Sequence, residues 1–246
     1  MFVLGTSQVR TSSTDQPSAL TVLWREGGLI ALSKPGGMPA QPDRTSDRDA
    51  LSIVRSMHPG EEVGLIHRLD RPVSGVLLMT LDPILLPPMN TLFREGSVRK
   101  TYLAVVEGET PAELVLEHRL THNPRSRKAS ADATGRIAQL RATRLAQGDR
   151  YALLFVEPAS GRFHQIRAQL AAAGNPIKGD VKYGARRGER DRSISLHAYS
   201  LGFQHPRTRN RIEVKAPPPS TPLWAALIAL ASGRLEPDRA MEGGIP

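Results

Sequence analysis

Two apolar stretches, Gly64-Leu65-Ile66 and Val73-Ser74-Gly75-Val76-Leu77-Leu78-Met79, bracket the charged cluster His67-Arg68-Leu69-Asp70-Arg71. The pattern predicts a buried strand, a charged turn and a second buried strand. Charge beside core strands is costly unless it is paired, so Asp70 calls for a cationic partner and a reason to be there. Upstream, residues 20–24 and 29–32 read as short strands about the turn Glu26-Gly27-Gly28, and Lys34-Pro35-Gly36-Gly37 turns the chain again. An exposed Pro- and Asp-rich loop then hands over to a helix at residues 50–57, with Asp49 or Asp47 as its cap.

Downstream, Asp82-Pro83 resembles a helix start, but Pro87 and Pro88 lack amide donors, so a new turn is expected there. Residues 89–95 form a helical piece stopped by Gly96, and residues 100–107 alternate as a strand with Tyr102, Ala104 and Val106 on one face. Residues 117–150 scatter arginines among turn residues and short strands, which suggests a basic surface lobe. Residues 151–156 are an apolar strand, and residues 161–174 pass from strand to helix, with Ile166, Leu170 and Ala173 inward and His164, Arg167 and Ala171 on a neighbouring face. A cation early in a helix opposes the dipole, so the place of Arg167 calls for an anion. A Gly- and Arg-rich loop at 178–192, a late hairpin at 196–203 and 211–216, and a helix at 222–232 capped by Ser220 or Thr221 complete the chain. We therefore expect a mobile leader at 1–18, one catalytic domain at 19–233 and a flexible tail at 234–246.

Composition adds a partner. The 246 residues hold 33 Lys and Arg against 24 Asp and Glu, a formal charge of +9 whose field favours polyanions, nucleic acid first among them. The absence of cysteine excludes disulfides and thiolate metal sites and fits a reducing compartment. No secretory leader is visible, and no run approaches the roughly 20 apolar residues of a membrane helix, so a cytoplasmic protein without membrane contact is expected. His118 and His122 have the i, i+4 spacing of metal ligands, but Asn123-Pro124 breaks a helix there and no third ligand follows. No complete phosphate-loop or dinucleotide fingerprint occurs either, and neither metal nor cofactor is expected.

The segment His67-Arg68-Leu69-Asp70-Arg71-Pro72-Val73-Ser74-Gly75 resembles the signature of RluA-family pseudouridine synthases. In the same order, Lys34-Pro35 with Gly37, Lys100-Thr101-Tyr102, residues 161–167, Pro176-Ile177-Lys178-Gly179-Asp180 with Tyr183-Gly184, Leu196-His197-Ala198 and His205-Pro206 are similar to further family motifs. The likeness covers about residues 20 to 220. It implies an α+β fold, a mixed and largely antiparallel sheet with flanking helices. It also implies a cofactor-independent enzyme that isomerises uridine in tRNA or rRNA. Asp70 would attack the sugar covalently or remove a sugar proton, alternatives the sequence leaves open. Arg167 would pair with that carboxylate, and Tyr102 would lie against uracil with its hydroxyl as a candidate proton acceptor.

Because a base inside folded RNA must be extruded, Arg68 is read as a planar cation that fills the vacated stack. Arg71, Arg125, Arg127, Lys128, Arg162, His164 and Lys182 complete the expected RNA contacts, with Asp70, Tyr102 and Arg167 as the catalytic set. His67 and His197 are read as structural hydrogen-bonding residues. The stretch before Leu20 leaves no room for an accessory RNA-binding domain, and a monomer acting on structured RNA is expected. Val73, Phe163 and Gln169 stand where the family commonly has Thr, Thr and His. The rival readings are a non-catalytic RNA chaperone on the same fold, against which Asp70, Tyr102 and Arg167 argue, and a metal-dependent nuclease, which a chelator would silence.

Overall fold

The computed structural model describes residues 20–237, so the expected leader at 1–18 lies outside the described residues. Eleven strands form one mixed sheet: β1 (Thr21–Glu26), β2 (Leu29–Lys34), β3 (Gly64–Leu65), β4 (Ser74–Thr80), β5 (Arg99–Glu107), β6 (Glu113–Asn123), β7 (Lys128–Ala131), β8 (Arg136–Gln147), β9 (Tyr151–Pro158), β10 (Leu196–Gln204) and β11 (Arg211–Lys215). Their order is β1-β2-β4-β10-β5-β9-β8-β6-β7, with β3 added to β4 and β11 to β10. Every described pair is antiparallel except β4 with β10.

The helices are α1 (Ala50–Met57), α2 (Leu86–Arg94), α3 (Gln165–Ala172) and α4 (Pro222–Leu230). On one face of the sheet Ile30, Leu32, Leu77 and Met79 cluster with Ala50, Leu51 and Val54 of α1, and Ala104, Val106, Leu154 and Val156 with Ile166 and Leu170 of α3. On the other face Leu29, Ala31, Val76 and Leu78 meet Leu85 and Met89, while Leu103, Val105, Leu153 and Phe155 meet Trp224 and Leu227 of α4. Strands covered on both faces read as continuous apolar runs, which is the origin of the pattern at residues 76–79. Among the described residues no helix is long and apolar enough to cross a membrane.

Several expectations change. Pro87 and Pro88 lie within α2, in its first turn, where the amides they lack would have had no helical partner. The stretch expected as short strands and turns holds two long ones, β6 and β8, paired from Glu113↔Thr143 to Leu120↔Arg136. Their outward arginines mask the strand alternation. Ala173 is exposed just beyond α3 rather than inward. The tail expected from residue 234 is partly packed, because Leu235 joins the α4 cluster and Glu236 accepts from Lys215 Nζ at 2.6 Å. Asp49 is the cap of α1, accepting the Ser52 N–H at 2.9 Å.

The parallel β4/β10 junction joins the two halves of the sheet through His197↔Ser74 and Ala198↔Gly75. Gly75 has φ +112, and a β-carbon there would lie 2.2 Å from the Ala198 carbonyl oxygen. Only glycine admits both the backbone geometry and the approach of β10. Gly75→Ala is expected to cost about 3 kcal/mol or more, at the upper end of single-residue effects. Urea unfolding monitored by circular dichroism tests this, and a loss under about 1 kcal/mol would contradict it.

Candidate active site

Asp70 sits in the turn that leads into β4, closed by the Val73 N–H donating to the Asp70 carbonyl at 3.0 Å. Leu69 is buried and Arg68 exposed on either side of the chain here, and the Asp70 side chain is 24% exposed. Its Oδ2 lies 3.1 Å from Arg167 Nη1 and 3.3 Å from His164 Nε2. Among the described residues Oδ1 has no hydrogen-bond or ion-pair partner, so one carboxylate oxygen is anchored and the other is open.

Arg167 comes from the first turn of α3 and is 5% exposed. Asp180, also buried, takes its other edge, accepting from Nε at 2.6 Å and Nη2 at 2.9 Å. Burial alone would weaken the guanidinium charge, but Asp180 and then Asp70 outweigh it and hold Arg167 charged. The cation also lies 5.0 Å from the centre of the Tyr183 ring. The anion anticipated from the helix position is therefore two carboxylates, with Asp180 the more intimate. A buried arginine with two donor edges needs more than one acceptor, and that was the available signal for Asp180.

Tyr102 lies half-buried on β5, where burial and then the charge of Asp70 push its phenol up to about 12. At neutral pH it keeps its proton in the free protein. Lys34 is fully buried, and its Nζ donates to the carbonyls of Pro35 at 2.8 Å, Met38 at 2.8 Å and Arg71 at 3.2 Å. It thereby pins the 35–38 turn to the loop of Asp70. Burial pulls its pKa down to about 7, while the charge of Asp70 opposes the fall. Sequence reasoning placed Lys34 in a turn motif and missed this tie.

The expected RNA contacts divide. Arg68 is exposed beside Asp70, Arg162 is exposed ahead of α3, and Arg125, Arg127 and Lys128 are exposed around the β6–β7 turn. Lys182 is half-buried, with its pKa lowered by burial and then by Arg167, Lys128 and Arg127, so those cations share one field beside the site. Arg71 has internal partners: its guanidinium donates to Gly37 O at 2.9 Å and Thr45 Oγ1 at 2.8 Å and pairs with Asp43 and Asp47. It ties the 37–47 loop to the turn of Asp70 while its side chain stays 21% exposed. His164 likewise turns its ring to Asp70 and Tyr183. Lys100, on the Tyr102 face of β5, is half-buried with no acceptor among the described residues.

The other departures have structural uses. Gln169 is buried and donates to the carbonyls of Leu116 and Ala138 at 3.0 Å each, fastening α3 to β6 and β8. Phe163 stacks on His164 at 3.9 Å and meets His122 at 4.2 Å. Val73 is a core residue. His118 and His122 stand on a strand, His118 at 3.3 Å from Gln169 and His122 against Phe163, so their spacing is not helical.

His67 accepts the Leu78 N–H at 3.0 Å and stacks on Phe93, and His197 accepts from Ser74 Oγ while donating to the Ala216 carbonyl. Burial pulls the pKa of His67 and of His197 down to about 4, and burial with Arg167 and Lys182 pulls His164 down to about 3. These three rings are neutral in the fold and protonate on unfolding once the pH drops below their ordinary 6.5. Their contribution is whole above pH 6.5 and stability falls as pH falls from there toward 4. At pH 5.5, unfolding is expected to take up about two to three protons at these rings, measurable by calorimetry in buffers of different ionisation enthalpy. An uptake near zero would contradict neutral burial.

The sequence model of the family described as RNA pseudouridylate synthase matches residues 28–172. A relative named tRNA pseudouridine synthase C, from Haemophilus ducreyi, is 30% identical over 219 residues, which is 80% of this chain and 90% of the relative. One named ribosomal large subunit pseudouridine synthase C, from Pasteurella multocida, is 30% identical over 207 residues, 80% of this chain and 64% of the relative. The chain thus spans just under two thirds of that ribosomal relative. Among solved structures, Human RNA Pseudouridylate Synthase Domain Containing 1 shares the fold, with a TM-score of 0.71 at 22% identity over 92% of this chain and 100% of that one.

Proposed function

This chain belongs to the RNA pseudouridylate synthase family, and from that premise we propose that it isomerises uridine to pseudouridine in structured tRNA or rRNA, with Asp70 acting on the target nucleotide. The observation that carries the reading is the Asp70 carboxylate itself, 24% exposed, with one oxygen held by Arg167 and the other without a partner among the described residues. Isomerisation breaks the N1–C1′ glycosidic bond, turns the uracil, joins C5 to C1′ and releases the C5 proton. An open carboxylate oxygen suits either covalent attack on the sugar or removal of a sugar proton. Tyr102 supplies a ring against which the freed uracil can turn, its phenol remaining protonated.

The RNA comes to the site through its phosphates. Arg125, Arg127, Lys128, Arg162 and Lys182 form the flanking positive field, and Lys100 offers an ammonium on the tyrosine's face. Binding to such a surface weakens steeply with salt. Arg68, exposed next to Asp70, fills the stack left by the extruded base, at a site where extrusion costs a few kcal/mol.

Asp70→Asn is expected to abolish tritium release from 5-tritiated uridine in tRNA and rRNA transcripts, with the RNA Kd held within about threefold, or ~0.7 kcal/mol. Substantial turnover by this variant would sink the assignment. Arg68→Ala should slow structured RNA more than a substrate whose target uridine is already unpaired. Equal losses on both would remove the wedge.

A further inference from the structure

The contacts around His164 form a directed path. The Ala129 N–H, on β7, donates to Tyr183 Oη at 2.8 Å. A main-chain amide can only donate, so the phenol oxygen accepts there and its own proton is free for His164 Nδ1, also at 2.8 Å. An imidazole that accepts at Nδ1 and is neutral carries its proton on Nε2, the atom 3.3 Å from Asp70 Oδ2. The tautomer is set by Asp70, whose carboxylate can only accept and so faces a protonated Nε2, and the amide of β7 is compatible with it because the phenol keeps its own proton for Nδ1.

The ring has little freedom to point elsewhere. His164 has φ +52, a left-handed backbone uncommon for a residue with a β-carbon. Gln165 secures that turn, its Oε1 accepting from Ser160 Oγ at 2.7 Å and Arg162 N at 3.1 Å while its Nε2 donates to the Gln139 carbonyl at 2.8 Å. Phe163 covers one ring face at an interplanar angle of 18°, and Tyr183 meets the ring edge-on. Phe163 rests in turn on His122 of β6. Both strands of the β6–β7 arm, which bears Arg125, Arg127 and Lys128 at its turn, therefore reach His164, one by stacking and one by hydrogen bonds.

The last link is the slack one. Upstream separations are 2.8 Å, whereas Nε2 to Oδ2 is 3.3 Å, and hydrogen bonds in unliganded active sites commonly tighten only when substrate is bound. We propose that His164 and Tyr183 are positioning residues, a relay through which RNA docked on the β6–β7 arm aligns the Asp70 carboxylate. This rests on Asp70 being the residue that acts on uridine. The RNA phosphates engage the arm cations, the arm settles onto Tyr183 and Phe163, and the His164 N–H closes on Oδ2. Oδ2 then has two donors, and Oδ1 is aimed at the sugar.

The test is single-turnover tritium release at saturating enzyme on full-length structured RNA, with RNA Kd and thermal midpoint measured alongside. Tyr183→Phe keeps the ring and its contact with Arg167 but removes both hydrogen bonds, and should lower the chemical rate about tenfold with little change in Kd or midpoint. His164→Ala should lose more, and His164→Asn, which tolerates the left-handed backbone and restores a donor, should recover part of the loss. Neutralising Arg125, Arg127 and Lys128 together should slow the chemical step in the parent but add no further slowing to Tyr183→Phe. Parental chemical rates in Tyr183→Phe and His164→Ala would overturn the relay, as would losses confined to Kd, and additive losses with the arm variant would overturn its coupling to RNA. Asp70→Asn separates the two claims: activity in that variant removes the premise, whereas a dead Asp70→Asn with fully active Tyr183→Phe and His164→Ala removes only the relay.

Discussion

A guanidinium that is almost fully buried loses its hydration, and Arg167 keeps its charge because two carboxylates stand where water would have been. Asp180 takes two of its donors in a fork and leaves Nη1 as the hydrogen bond to Asp70. Burying such a pair contributes modestly to net stability, because desolvation offsets the attraction. Orientation is what it secures. The plane of Arg167 is fixed by the buried Asp180, so the partly exposed Asp70 carboxylate is oriented without being enclosed. Tyr102 and Lys34 both lie within the field of Asp70 and respond to its charge, Tyr102 by holding its proton more tightly and Lys34 by holding on to its own against burial.

Much of this was legible from residue types. Asp70 between two apolar runs demanded a cation, and Arg167 at the start of a helix demanded an anion; each requirement named half of one contact. The hairpin at the amino end, the capped helices and the Tyr102 strand follow from alternation and cap chemistry, which are local. The misreadings were cases where distant contacts outweighed local rules. The arginines of β6 and β8 obscured long strands, and the two prolines of α2 broke nothing because they fell in the first turn. The ion pairs of Arg71 with Asp43 and Asp47, more than twenty residues earlier, had no local signal either. Lys34 reads as part of a turn, and nothing local shows that its three carbonyl acceptors come from two loops. Pairings of this kind leave no periodic trace in a chain.

The positive charge sorts into two kinds that composition cannot separate. Arg167, Arg71 and Lys34 are paired or bonded internally and set the shape of the cleft. Arg68, Arg125, Arg127, Lys128 and Arg162 are exposed, and the field of Arg127 and Lys128 reaches the half-buried Lys182. Mutual repulsion among exposed cations disfavours their crowding in the free protein, and a phosphate chain relieves it by releasing counterions. The excess of +9 is therefore less informative as a sum than as a surface left unneutralised beside one open carboxylate.

The site also depends on the least local features of the fold. Lys34 and Asp70 belong to the half of the sheet before the β4/β10 junction, while Tyr102, His164, Arg167 and Asp180 belong to the half beyond it. The parallel pairing at Ser74 and Gly75 brings the halves together four residues after Asp70, and the missing β-carbon of Gly75 permits that approach. Neither half holds a usable carboxylate alone: without Arg167, Asp70 has no anchor, and without Asp70, the Arg167–Asp180 pair is a closed structural ion pair. Contacts this far apart in sequence form only after their loop-closure entropy has been met. The carboxylate is consequently aimed only when the whole sheet is assembled, which couples the chemistry of one turn to the integrity of the entire fold.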